Sequence, residues 1–566
     1  MRRVLVAALA VLLLPFVAPQ AQTPTVGRIV GRVVDAANGS GLTDAGIQVL
    51  AQGGNAFDAA VAVAAALAVA EPYGSGLGGG GFFLLREAGT TPRYRFVDAR
   101  ERAPLKAHAG MYANAGKMGP APSLDGALAA AIPGLPAALA HLSQRYGKLA
   151  LRDSLYPAQR LARDGIGIDT LYRERVSWRL KAMQADPETA RIFLSNNQAP
   201  TEHSLLRQPE LASTLQRLAD HGHAGFYSGR TADLLVRAVQ AAGGIWTHKD
   251  LAEYRVIERK PLRARLQEGR ELITAPPPSA GGVALIQSLA MLQQLNWRKA
   301  DTLTRDHLVI ESLRRAYRDR GLLGDPDQVR NPLASLLAPA YLQQLARSID
   351  RQKATPSSSL PPATAWHEGP HTTHFTVIDQ AGNAVSATLS INLPFGAAFT
   401  AKGSGVLLNN EMDDFAKAVD EQNAYGLTGS QANLIAPGKR PLSSMTPSFI
   451  ESAGELSSFG TPGGSRIPSM VLLGILEYLD GQPIERWAAR PRFHHQYLPD
   501  VLEYEPATFS SQEKAGLLRL GHQLQSTNRR YGNLQVLRWN KLSGVVEGAS
   551  DPRGLGRADT IALPPQ

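Results

Sequence analysis

Between Ala56 and Val69 lie fourteen residues without glycine or proline, and all but Phe57, Asp58 and Leu67 are alanine or valine. The length predicts a helix. The near-absence of polarity predicts burial on every side. Its apolar stretch, Ala59 to Ala70, falls short of the roughly 20 residues that cross a bilayer. The surroundings must therefore be protein, and small alanines let a helix lie close against a sheet. Glu71-Pro72 ends the run.

The chain can supply such surroundings. Its 566 residues are 44% hydrophobic and 19% charged, enough for several layers of core in one large unit or two to four domains. The absence of cysteine excludes disulfides, thiolate metal sites and a cysteine nucleophile. The net charge of +10 is scattered, with no lysine- or arginine-rich run, which argues against nucleic acid as a partner.

The N-terminus carries Arg2 and Arg3, then fourteen apolar residues from Val4 to Val17, then Ala18-Pro19-Gln20-Ala21-Gln22. This pattern predicts a cleaved export signal over residues 1–21; an uncleaved anchor or a buried helix is the alternative. No later segment predicts a permanent membrane span. The expected location is the periplasm or outside the cell.

Short elements are expected at Gly27–Val34 and Ala45–Ala51, with a turn at Asn38-Gly39-Ser40. Four glycines, Gly78 to Gly81, imply unusual backbone angles or close approach. They lack the lysine and spacing of a phosphate-binding loop. Strands are expected at Phe82–Leu85 and Tyr94–Val97, and a largely helical region from Leu124 to about Leu345. That region is interrupted by strand-like Leu262–Ile273 and a turn at Pro276–Gly282. Arg351–Pro370, rich in serine and proline, is expected to be loose and exposed. Alternation then predicts strands at Thr372–Ile378 and Ala384–Ile391. Further strands are expected at Ser448–Glu451, Val501–Tyr504 and Leu534–Trp539, and a helix at Pro468–Leu479.

The junction Gly369-Pro370-His371-Thr372-Thr373-His374 joins the loose segment to the first of these strands. By composition it is a linker. If the chain were cut before Thr372, however, one residue would hold both a hydroxyl and a free α-amine. An α-amine titrates near 7.7–8.0, so it can take the hydroxyl proton near neutrality and make threonine a nucleophile. Acyl transfer also needs an oxyanion site, which backbone N–H groups at Gly463-Gly464 could form.

The residues at this junction, with others along the chain, resemble the gamma-glutamyltransferases of the N-terminal nucleophile hydrolase superfamily. The matching pieces begin with Gly53-Gly54-Asn55-Ala56, Ser75-Gly76-Leu77 with the glycine run, Arg100-Glu101 and Pro133-Gly134. They continue with Thr372-Thr373-His374, Gly382-Asn383-Ala384-Val385, Asn409 to Phe415, Lys439 to Ser444 and Gly463 to Ile467. The resemblance implies an α+β fold, a four-layer αββα sandwich formed jointly by two pieces after self-cleavage between His371 and Thr372. These would be a large subunit, 22–371, and a small subunit, 372–566, which stay associated.

The resemblance further implies that Thr372 is the nucleophile and Thr373 supports its amine. Gly463 and Gly464 would bind the oxyanion. Arg100, Ser443 and Ser444 would hold a substrate α-carboxylate, and Asn392, Glu411 and Asp414 its α-ammonium. Ser390 stands where the family usually has threonine, so the hydroxyl is kept and a methyl lost. Tyr425 would gate a lid loop. The implied donors are glutathione and other γ-glutamyl compounds; the acceptors are water, amino acids or dipeptides. No metal or organic cofactor is implied.

Taken alone, several of these residues have plainer readings. Arg100 could be an ordinary solvated or salt-bridged arginine, Asp413-Asp414 a helix cap or a weak cation site, and Ser443-Ser444 and Gly463-Gly464 loop or turn. His371 and His374 are three apart on an expected strand, so they point to opposite faces; structural or processing roles are expected. Two other functions stay open: an acylase of the same superfamily acting on β-lactam side chains or other N-acyl compounds, and a non-catalytic periplasmic binding protein.

Overall fold

The computed structural model describes residues 26–32, 42–113, 122–361, 372–416 and 430–562. The export segment, the Asn38-Gly39-Ser40 turn, His371 and Tyr425 lie outside the described residues.

The expected helix forms over Ala56–Ala70, and every one of its residues is buried. Asn55 caps it: its side chain accepts from Phe57 N and Asp58 N, while the Asp58 carboxylate accepts from Asn55 N at 3.0 Å. That carboxylate also accepts from Lys148 N and Leu149 N, at 2.8 and 3.3 Å. The one acid in this helix is thus buried with its hydrogen bonds satisfied.

Two antiparallel sheets organise the rest. The first runs Gly556–Ala562, Val26–Arg32, Thr373–Ile378, Ala384–Ser390, Gly80–Glu87, Arg93–Ala99 and Ile257–Arg259. The second runs Val546–Ser550, Gln535–Asn540, Glu455–Gly460, Ser448–Glu451, Glu271–Thr274 and Leu262–Arg265. The first sheet interleaves strands that precede Thr372 with strands that follow it, and in the second a block of four following strands pairs at Ser448–Glu451 with two preceding ones. The strand-like stretch Leu262–Ile273 is a hairpin of two strands.

Strand alternation sorts the cores. In the first sheet Phe83, Leu85, Val97, Phe375 and Val377 pack with the Ala56–Ala70 helix. Phe82, Leu84 and Phe96 turn the other way, into a cluster shared with the second sheet. There Thr376 Oγ1 lies 2.8 Å from Ser458 Oγ, and the Tyr94 and Phe449 rings are 6.3 Å apart. On the far side of the second sheet Phe459 stacks on Trp487 at 5.6 Å, beside the helix Ile467–Leu479.

One expectation is corrected. The segment after Arg351 is not uniformly exposed: Ala354 and Ser357 are buried. Ser357 donates to Tyr497 O at 2.6 Å and accepts from Arg314 at 2.7 Å. Serine-rich composition predicted a solvated stretch, but hydroxyl groups can be buried when each finds a partner. Among the described residues, no helix is long and apolar enough to cross a membrane.

Candidate active site

Thr372 immediately precedes the strand Thr373–Ile378 and is 9% exposed. Thr373 pairs with Leu389, so the same register, continued by one residue, sets Thr372 beside Ser390. Ser390 Oγ accepts from Asn392 N at 2.8 Å. His374 is buried between the sheets, its Nδ1 2.8 Å from Thr388 Oγ1. Burial lowers its pKa to about 3, so it is neutral and structural at physiological pH.

The glycine run explains how these pieces fit. A Cβ on Gly78 would lie 2.0 Å from Leu407 O, on Gly79 2.2 Å from Ser390 O, and on Gly80 2.3 Å from Ala99 O. Three backbone segments therefore cross the run at distances no side chain permits. Gly80 pairs with Ser390 and Gly81 with Ala99, which sets the next residue, Arg100, beside Gly80.

Arg100 is buried among acids. Its Nη1 is 2.7 Å from Glu411 Oε2 and its Nη2 is 2.5 Å from Asp414 Oδ2. Nε donates to Pro441 O at 3.2 Å, which draws in the segment carrying Ser443 and Ser444. Asn392, held at φ 71°, donates through Nδ2 to Asn410 O at 3.1 Å. Asn392 Oδ1 and Glu411 Oε1 are buried with no hydrogen-bond partner among the described residues. These two buried acceptors leave a polar cluster with unmet demand for a donor.

Gly463 and Gly464 have φ of 143° and 57°. They lead through the short turn Gly464–Arg466 into the helix Ile467–Leu479, where backbone N–H groups at a helix start favour negative charge. Thr372, Thr373 and Gly463 line one cavity of about 250 Å³.

The family model described as gamma-glutamyltranspeptidase matches residues 43–561. The chain belongs to that family. It is 37% identical to the glutathione hydrolase proenzyme of Escherichia coli strain K12 over 522 residues, covering 91% of this chain and 89% of that one. It is 39% identical to the glutathione hydrolase proenzyme of Pseudomonas sp. strain A14 over 475 residues, 82% of each chain. Among solved structures it is similar to Helicobacter pylori gamma-glutamyltranspeptidase, with a TM-score of 0.54 and 34% identity over 57% of this chain and 93% of that one. It is similar in fold to a cephalosporin acylase from Bacillus halodurans, with a TM-score of 0.81 at 24% identity, covering 97% and 99%. These neighbours share the mixed helix-and-sheet architecture.

Three residues of this gamma-glutamyltranspeptidase family member were given no role by sequence reasoning. Arg320, at the end of the helix Thr302–Arg320, donates to Ser444 Oγ at 2.9 Å. Asn433 donates to Asp414 O at 2.8 Å and accepts from Leu442 N at 2.9 Å, tying the acid to the serine segment. Glu101 is fully buried; burial first, then the charge of Glu411, push its carboxyl well above the usual range. Only Glu101 had a local signal, as an acid adjoining Arg100. A separate buried group, His307, Glu311 and His522, has ligating atoms within 4.8 Å of one another. Glu311 already pairs with Arg314 and Arg315, at 3.2 and 2.6 Å. The imidazoles share a 2.8 Å hydrogen bond. A cation there would face two guanidinium groups.

Proposed function

We propose that this family member is a glutathione γ-glutamyltransferase and hydrolase that matures by cutting itself between His371 and Thr372. The observation that carries the reading is the pairing of Arg100 with Glu411 and Asp414 next to the unpartnered acceptors Asn392 Oδ1 and Glu411 Oε1. A head group bearing both a carboxylate and an ammonium meets each of these demands. Its carboxylate takes the Arg100 fork, with Ser443 and Ser444 alongside. Its ammonium takes Asp414, Glu411 and Asn392. Because a buried charge left unpaired is costly, a ligand with only one of the two charges leaves part of the pocket uncompensated.

In the precursor Thr372 Oγ attacks the carbonyl carbon of His371 and the peptide C–N bond breaks. That break frees the Thr372 α-amine, and hydrolysis of the resulting ester frees a carboxylate on His371 and restores the Thr372 hydroxyl. In turnover that amine, supported by Thr373, takes the hydroxyl proton while Oγ attacks the γ-carbonyl. The oxyanion lies against the N–H groups of Gly463 and Gly464. The proton passes to the departing amine, cysteinylglycine in the case of glutathione. Water or the amine of an amino acid or dipeptide then opens the γ-glutamyl ester. Ser390 keeps the hydroxyl that orients Thr372, and Tyr425 closes the lid. These steps use only groups of the chain, the substrate and water.

The same reading makes the two sheets the middle of a four-layer αββα sandwich of the N-terminal nucleophile hydrolase type. The pieces 22–371 and 372–566 remain together after cleavage. The pairing of their strands within both sheets supports this, since parting them would break ladders such as Val385 with Leu85 and Phe449 with Ile273. The leader 1–21 would direct the precursor to the periplasm or beyond.

The acylase alternative differs in one substrate group, so one comparison separates them. Purified protein is expected to hydrolyse a γ-glutamyl anilide faster than the glutaryl anilide, which lacks the α-amine. Preference for the glutaryl compound would assign the chain to the acylases.

A further inference from the structure

We propose that the cavity beside Thr372 contains a second subsite, formed by Arg529 and Arg530, that recognises a carboxylate on the part of the donor that leaves or on the incoming acceptor. The inference rests on the γ-glutamyl reading: with the head group held at Arg100 and its carbonyl at Thr372, the remainder of the donor extends past Gly463 into this cavity.

Five arginines and two glutamates line the cavity. Three of the arginines are committed to acids. Arg175 is 3.2 Å from Glu174, Arg466 is 2.7 Å from Glu503, and Arg553 is 2.6 Å from Glu505. Arg529 and Arg530 have no carboxylate partner among the described residues, so their charge is available to a ligand. Arg529 is steered by Trp178, its guanidinium 4.4 Å from the ring centroid.

The loop that carries both is anchored on each side. Thr527 N donates to Tyr504 O at 3.0 Å and Thr527 Oγ1 to Arg529 O at 2.6 Å. Tyr531 N donates to Glu505 Oε1 at 2.7 Å, and Asn533 N to Thr461 Oγ1 at 3.1 Å. Thr461 adjoins Pro462-Gly463, so the loop is bound directly to the segment proposed to hold the oxyanion. Two adjacent guanidinium groups on an anchored loop suit a carboxylate. A peptide leaving group that ends in a free carboxylate is the ligand this chemistry selects; a neutral amine gains nothing from it.

The test compares hydrolysis of glutathione with that of its C-terminal amide by the self-processed protein. The parent protein is expected to favour the free acid in kcat/KM by about five- to tenfold at low salt, as befits partly exposed charges, with the preference shrinking as ionic strength rises. In the double variant Arg529→Gln with Arg530→Gln the ratio should approach one, and in the matching pair of lysine substitutions most of it should return. A parent that handles acid and amide alike, or a preference that survives the glutamine variant, overturns the subsite. Turnover of the γ-glutamyl anilide by the parent reports on the underlying reaction separately. If the anilide is not hydrolysed, the proposed function fails; if it is hydrolysed without an acid preference, only the subsite does.

Discussion

Thr372 and Arg100 lie on one row of the seven-stranded sheet. The pairs Thr373 with Leu389, Leu389 with Gly81 and Gly81 with Ala99, each continued by one residue, bring Thr372, Ser390, Gly80 and Arg100 into line. Three strand spacings of about 4.8 Å separate the outer two backbones by roughly 14 Å. Under the proposed function an arginine side chain, a head group and a threonine hydroxyl would share that span.

A fixed span makes the enzyme sensitive to the length of the head group. Donors one methylene shorter or longer, β-aspartyl and δ-aminoadipyl anilides, are expected to lose about a hundredfold in kcat/KM against the γ-glutamyl anilide, the penalty of misplacement by about 1 Å. Steady-state kinetics on the three anilides check this; comparable rates would show that Arg100 does not anchor the substrate.

Asp414 should carry much of the demand for an amino group. Replacing it, Asp414→Asn, is expected to shrink the preference for γ-glutamyl over glutaryl anilide by about a hundredfold, because a site built for a hydrogen-bonding group discriminates strongly against its absence. The ratio of the two kcat/KM values is the readout, since it is insensitive to the fraction of folded protein. An unchanged ratio would remove Asp414 from ammonium recognition.

Thr372→Ala should leave one uncut chain on a denaturing gel, with activity lower by about 10⁴-fold or more, as for other lost nucleophiles. N-terminal sequencing of the parent's smaller piece should begin at Thr372. Normal processing in the alanine variant would place both the cut and the nucleophile elsewhere.

Gly80→Ala tests the crossing that sets the row. The added Cβ would meet Ala99 O at 2.3 Å and Glu101 Cδ at 2.9 Å. The first of these is backbone and cannot rotate away. The expected cost is about 1–3 kcal/mol of stability, with a raised KM because Arg100 lies between the two residues displaced. Thermal unfolding and the KM for the γ-glutamyl anilide measure the two effects.

Glu101 provides a pH signature. Its carboxyl is raised above its usual value of 4.5, chiefly by burial, so the unfolded chain ionises first as pH rises. Stability is therefore fully present below about 4.5 and declines as pH climbs through the elevated folded value. Glu101→Gln cannot ionise and should lose less stability between pH 5 and pH 8 than the parent. Parallel losses in melting temperature would mean that Glu101 is not the group responsible.

Local pattern carried a large part of the fold. The Ala56–Ala70 helix, the strands on either side of Asp379–Asn383 and the helix after Gly463-Gly464 were all legible, because apolar periodicity and turn residues act over a few neighbours. The burial of Ser357 was not: its partners Arg314 and Tyr497 come from distant parts of the chain. Arg320 was missed for the same reason, since nothing near it in sequence indicates that its guanidinium reaches Ser444.

The candidate site divides along the same line. The types and order of residues, a threonine entering a strand, an arginine followed by an acid and a glycine pair before a helix, are properties of the sequence and by resemblance point to one chemistry. Tertiary structure decided which of them meet. Arg100 and Asp414 stand 314 residues apart, and their contact depends on the register of four strands and on the close backbone crossings at Gly78–Gly80. Such registers arise when opposite faces of both sheets are buried together, a property of the packed molecule that no single segment contains.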